Sequence, residues 1–167
     1  DARAGVSSHH RGVLVKWLVR FAHDHDVWES KTWQVKQNVV QPMTEATRCR
    51  YVDLDAMREN DSIVGPADIF VSHCWGANFG DLVGAVSQIA EPDAYVWIDI
   101  FAVRQWPGND ADLNFRPVVK LCKAFLLCVP KIKLNKDDTK YDPTKHSSNP
   151  LWEWPDPYEY FYKYDRD

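Results

Sequence analysis

Two short apolar runs constrain this chain more than anything else in it: Asp68-Ile69-Phe70-Val71-Ser72-His73-Cys74-Trp75-Gly76 and Tyr95-Val96-Trp97-Ile98-Asp99-Ile100-Phe101-Ala102-Val103. Both are rich in β-branched and aromatic residues and lack the polar alternation of a half-exposed strand, so each reads as a strand buried on both faces. Between them Asp81 is placed to cap a helix with Leu82, Val83, Val86, Ile89 and Ala90 along one side, and Glu91-Pro92-Asp93 ends it. Strand, amphipathic helix and strand predict a right-handed βαβ unit in a parallel sheet. Ala124–Val129 supplies a further buried strand.

The flanking segments carry other patterns. Leu14, Trp17, Leu18, Phe21 and Ala22 recur at helical spacing over residues 12 to 25, with Lys16, Arg20 and Asp24 between them. A second helix is predicted from Thr32, carrying Val35, Val39 and Val40 inward and interrupted or kinked at Pro42. Arg50–Leu54 alternates as a short strand, and Arg58–Pro66 and Arg104–Asp112 read as polar loops. A helix over Asn114–Lys123 is compatible with Pro117 only in its first turn. Beyond Pro130 neither periodicity holds, yet Trp152, Trp154, Tyr158, Tyr160, Phe161, Tyr162 and Tyr164 crowd together. That is too aromatic for a solvated linker and predicts an extended arm lying across a surface. The expected organisation is an N-terminal helical extension (1–48), an α/β core (49–130) and an aromatic, proline-rich C-terminal arm (131–167).

At 167 residues the chain is long enough for a core without cross-links. A net charge of -4 argues against a nucleic-acid or anionic-membrane surface, since both reward a concentrated basic face. No apolar run reaches the roughly 18 residues of a membrane span. Asp1–Gly5 offers neither initiator Met nor apolar leader, as expected of a processed product. Cys49, Cys74, Cys122 and Cys128 lack paired metal spacing and read as mostly buried thiols, which favours a soluble protein inside the cell.

In an open parallel sheet the loops leaving the carboxyl ends of the strands form the ligand crevice. Here those loops supply Ser72, His73 and Trp75 from one strand, and Asp99, Arg104, Gln105 and Trp106 from the next. Indole faces suit a flat ring, Arg104 an anion and Asp99 a hydroxyl. Asp99 is the most informative of them, because a carboxylate inside an apolar run costs free energy unless something satisfies it. It serves either as a pocket residue or as an acceptor for loop backbone. His73 and Cys74 are neighbours on a strand and face opposite ways, so they do not form a nucleophile–base pair. His23-Asp24-His25-Asp26 splays around a helix end and makes no metal site, and His9-His10 reads as a flexible terminus.

The Ser72-His73-Cys74-Trp75-Gly76 element followed by Trp97-Ile98-Asp99 and Gln105 resembles TIR-like domains of protist and algal proteins, and is similar to the fungal heterokaryon-incompatibility domain. The resemblance covers roughly Cys49 to Val129. It implies a flavodoxin-like three-layer sandwich with a parallel central sheet, and a mobile Arg104–Asn114 loop used for self-association and access to a nucleotide pocket. Some such domains cleave NAD with a glutamate on the helix after the third strand; others only assemble. The comparable stretch here is His146–Pro155, where Glu153 lies between two tryptophans in no helical pattern and is the candidate catalytic acid. The leading expectation is therefore a non-catalytic interaction or assembly module needing no cofactor and no metal, with a protein partner or self-association through the Arg104–Asn114 loop and the arm. The alternative is an NAD glycohydrolase with NAD as substrate.

Overall fold

A computed structural model describes residues 7–59 and 62–129. The C-terminal arm and Glu153 lie outside the described residues. The elements run, in chain order, β1 (Gly12–Leu14), α1 (Val15–Asp24), α2 (Thr32–Val35), α3 (Gln41–Thr44), α4 (Asp55–Arg58), β2 (Val64–Gly65), β3 (Ile69–His73), α5 (Phe79–Ile89), β4 (Tyr95–Ile98), α6 (Asp99–Ala102), α7 (Arg116–Leu121) and β5 (Ala124–Cys128). The sheet order is β2-β1-β4-β3-β5.

The architecture is α/β, and the predicted strand pair is present. β3 and β4 lie parallel with Ile69 opposite Val96, Phe70 opposite Trp97 and Val71 opposite Ile98. β5 is parallel to β3 on its other side. The sheet as a whole is mixed, because β1 runs antiparallel to both β4 and β2. β1 and α1 come from the segment read as a helical extension, yet Val13, Val15, Leu18, Phe21 and Ala22 share one buried cluster with Val71, Val83 and Val96.

Three elements differ from expectation. The Tyr95–Val103 run is a strand only to Ile98; from Asp99 the chain turns into α6, with Ile100, Phe101 and Ala102 all buried. A buried helical turn and a buried strand are equally apolar, so composition does not mark the change. Arg50–Leu54 is no strand: Tyr51–Asp53 form a 3₁₀ turn leading into α4. Asp81 does not cap α5; Asn78 occupies that position and its side-chain oxygen accepts from Lys31 Nζ at 2.8 Å. Leu82, Val83 and Val86 are buried as predicted, whereas Ile89 at the end of α5 is exposed.

The helix from Thr32 exists and buries Val35, Val39 and Val40. Between α2 and α3 it widens into a π-turn over Lys36–Val40, just before Pro42. Pro42 has no N–H to give to the preceding turn, and a wider turn absorbs the missing bond. Pro117 lies in the first turn of α7, as required.

On one face of the sheet Phe21, Tyr51, Phe79 and Phe101 meet edge to face, with ring centroids 4.9–6.2 Å apart. On the other, Trp97 stacks on Phe70 at 5.0 Å and Phe70 on Phe125 at 5.4 Å. Among the described residues, cover there is thin. The turn at Ser8–Arg11 closes over Trp97, whose Nε1 donates to the Ser8 carbonyl, while His9 Nε2 donates to the Ala67 carbonyl at 2.8 Å. His9 is thus anchored and not part of a loose terminus. α7 contributes Val118, but Val119, Leu121, Phe125 and Leu127 remain exposed.

Candidate functional site

The carboxyl ends of β3 and β4 bring four of the predicted residues together. His73 is the last residue of β3 and Asp99 the first of α6, and their Nδ1 and Oδ1 lie 3.9 Å apart. Trp75 reaches back so that its Nε1 donates to Asp99 Oδ2 at 3.0 Å, with its ring stacked on the His73 imidazole. Gln105 Nε2 donates to the carbonyls of Asp99 and Val103. Asp99 is therefore held by an indole and sits beside an imidazole. Within this cluster His73 Nε2 and Asp99 Oδ1 are buried without a hydrogen-bond partner. Burial pushes the His73 imidazole below its ordinary value, and the neighbouring Asp99 carboxylate opposes that only in part.

A second segment clamps the rim. The Trp33 N–H donates to the Trp75 carbonyl and the Thr32 N–H to the Ala77 carbonyl, so the start of α2 is bonded to the loop after β3. At the other end of that loop Gly80 approaches Trp28 so closely that its N–H donates to the Trp28 carbonyl at 2.9 Å. A Cβ there would stand 2.5 Å from the same oxygen.

The other predicted residues do not join this cluster. Ser72 shares the sheet face of Phe70 and His73 that of Val71, since strand side chains alternate. Trp106 turns away, donating from Nε1 to Thr44 Oγ1 at 3.0 Å, with the Arg48 guanidinium 5.4 Å above its ring. Arg104 faces a different cavity of about 380 Å³, bounded by residues 47–50, by Asp53, Leu54, Asp55 and Arg58, and by Arg104 itself.

Behind that cavity lies a buried ionic network that sequence reasoning missed. Asp112 accepts from Arg50 Nε at 2.9 Å, from Arg50 Nη2 at 2.6 Å, from Arg11 Nη1 at 3.2 Å and from the Arg104 N–H at 3.1 Å. Arg50 also donates from Nη1 to Asp53 at 2.8 Å. Burial alone would raise the Asp112 carboxyl, but the hydrogen bonds from Arg50 and the Arg104 backbone, with the charges of Arg50 and Arg11, hold it below the ordinary carboxylate range. For Arg50 burial opposes the charge, yet the bonds to Asp112 and Asp53 outweigh it and raise its affinity for the proton. The Arg104–Asn114 loop, mobile by resemblance, is tied down through Asp112, and Asn109 Nδ2 fastens it further to the Arg104 carbonyl. One signal was available: Arg50, Asp53, Asp55 and Arg58 place opposite charges three residues apart, a helical spacing that does not suit a strand.

Among the described residues no group of three or more His, Cys, Asp or Glu side chains converges as a metal site, and no helix is long and apolar enough to cross a membrane. No family model, curated protein or solved structure matches the chain.

Proposed function

We propose that this chain is a TIR-like, flavodoxin-related module that acts by assembly, without catalysis and without a cofactor, and that its partner is a second copy of itself. The observation that carries this reading is the side of the sheet that the described residues cover incompletely. Phe125 and Leu127 are more than half exposed on β5, an edge strand among the described residues, beside Val119 and Leu121 of α7. Side chains of this size gathered at an edge strand are a liability in a monomer and an asset in a self-complementary interface. The Arg104–Asn114 loop, assigned to assembly by the resemblance, adds exposed Leu113. Free thiols at all four cysteines suit a reducing, intracellular compartment.

The test is the mass of the full chain by light scattering across a range of concentrations. We expect a dimer that dissociates on dilution and is lost in Phe125→Glu or Leu127→Lys. A strict monomer at every concentration, or a dimer indifferent to both substitutions, refutes assembly through β5.

A second reading, cleavage of NAD, is favoured by one observation. The buried and unsatisfied polar atoms of His73 and Asp99 lie at the carboxyl ends of parallel strands, where such sheets bind ligands. In that reading His73, Trp75 and Asp99 line the nucleotide pocket and Glu153 assists departure of nicotinamide. Nicotinamide released by the purified chain and abolished by Glu153→Ala would establish it in place of the first.

A further inference from the structure

Among the described residues, the cavity beside Arg104 has a charge imbalance that no ion pair resolves. Of its four guanidiniums, Arg50 is saturated by Asp53 and Asp112. Together with Arg11, those two carboxylates and Arg50 form a neutral set. The other three, Arg48, Arg58 and Arg104, face a single further carboxylate on the wall, Asp55. Arg104 Nε is 4.0 Å from Asp112 Oδ2, too long for a hydrogen bond. Arg58 Nε is buried with no acceptor at all. Native proteins leave few buried donors unmatched, and an unmatched guanidinium N–H is among the most costly.

Arg48 adds an independent observation. It is one of two non-glycine residues among those described with positive φ, at 49°. A left-handed backbone is strained for a residue with a Cβ, and this conformation carries the chain from the end of α3 to the cavity wall. The Arg48 guanidinium then lies over Trp106, an aromatic face that fixes a cation without neutralising it.

We infer that the cavity lined by Arg48, Arg58 and Arg104 is a binding site for a phosphomonoester dianion carried by a small organic molecule. The surplus of two positive charges matches a dianion. Planar guanidiniums give forked hydrogen bonds to phosphate oxygens, and Arg58 has no acceptor on Nε to exchange for a ligand. The volume of about 380 Å³ exceeds what inorganic phosphate needs and falls at the lower end of small-molecule pockets, so the ligand includes an organic portion of sugar size or somewhat larger. This site is separate from the β5 surface and from the His73–Asp99 cluster, and it stands or falls without them.

Titration calorimetry on the full chain tests it with inorganic phosphate, ribose 5-phosphate, adenosine 5′-monophosphate and unphosphorylated adenosine. Both phosphomonoesters are expected to bind more tightly than inorganic phosphate and to weaken with added salt, while adenosine gives no heat. A preference between the two esters then shows whether a base is recognised beyond the sugar. Arg58→Gln is expected to weaken binding by about tenfold or more, the effect of one charge-assisted bond. Should that variant not fold, Arg48→Gln, at an exposed side chain, carries the same expectation. Arg20→Gln on the outer face of α1 should change nothing. Adenosine binding as well as its monophosphate overturns the inference, as does an absence of heat with either ester or unchanged affinity in the arginine variants.

Discussion

Replacing Asp112 by Ala should be the most damaging single change outside the apolar core. Its carboxylate is buried and accepts from two guanidiniums and one backbone N–H. Arg50 would keep Asp53, but Arg11 would be left with only Ser8 Oγ at 3.4 Å. Removing one partner of a buried ion pair typically costs about 3–5 kcal/mol, because the remaining charge stays desolvated. The Arg104 N–H would add about 1 kcal/mol or more as an unmet donor unless water enters. The expected loss is therefore at least about 4 kcal/mol, a large part of the roughly 5–15 kcal/mol of stability usual for a domain. Urea unfolding followed by tryptophan fluorescence reads it. With a slope of about 2 kcal/mol per molar, the midpoint should fall by roughly 2 M or more while the slope holds. The contrasting pair is Lys16–Asp93, whose side chains are 58% and 79% exposed; Asp93→Asn should cost under about 1 kcal/mol. A loss below about 1 kcal/mol for Asp112→Ala, or equal losses for both variants, would refute the view that Asp112 organises this region.

Three further outcomes follow from the geometry. Burial depresses the His73 proton affinity from an ordinary 6.5, so below that pH the unfolded chain binds a proton that the folded chain refuses; stability should fall on acidification from there to the lower folded value, and His73→Asn should flatten that part of the curve, an unchanged slope telling against it. Burial pushes the Cys128 thiol up to about 12, which leaves a thiolate fraction on the order of 10⁻⁴ near pH 8, so alkylation of the folded chain should be roughly a thousandfold slower there than in urea; comparable rates by mass mapping would exclude a buried thiol. Gly80→Ala drives a methyl into the Trp28 carbonyl and should cost about 1–3 kcal/mol by thermal unfolding, whereas Gly84→Ala, which meets nothing, should be neutral or stabilising.

What the sequence made legible was whatever short-range pattern determines. The β3–α5–β4 unit could be read because two buried strands and an amphipathic helix have different periods. The rim residues His73, Trp75, Asp99 and Gln105 followed, since the strands fix where their exit loops meet. β1 was invisible: three apolar residues abut a helix with no break, and Leu14 fits the helical stripe as well as it fits a strand. α6 was hidden because a helical turn buried all round looks like more strand. The ionic network was beyond reach for a different reason. Asp112 and Arg11 are 101 residues apart, and nothing local in a polar loop marks one aspartate among several as the buried one.

Magnitudes also separate the arginines that hold the fold from those free to hold a ligand. Arg50 has carboxylate oxygens at 2.6, 2.8 and 2.9 Å, and its proton affinity is raised despite burial. A ligand that recruited it would first have to break bonds of the strongest kind, each worth about 1.5–3 kcal/mol. Arg58 needs no such exchange, because its buried Nε has nothing to give up. The neutral network behind the cavity therefore acts as a preorganised wall. It fixes the backbone from which Arg104 projects, through the bond from the Arg104 N–H to Asp112, while the Arg104 guanidinium stays 4.0 Å from that carboxylate and makes no hydrogen bond to it. Loss of Asp112 should consequently weaken phosphomonoester binding as well as stability, although Asp112 is itself anionic. If electrostatic repulsion by Asp112 dominated instead, Asp112→Asn would tighten binding, and the sign of that change decides between positioning and repulsion.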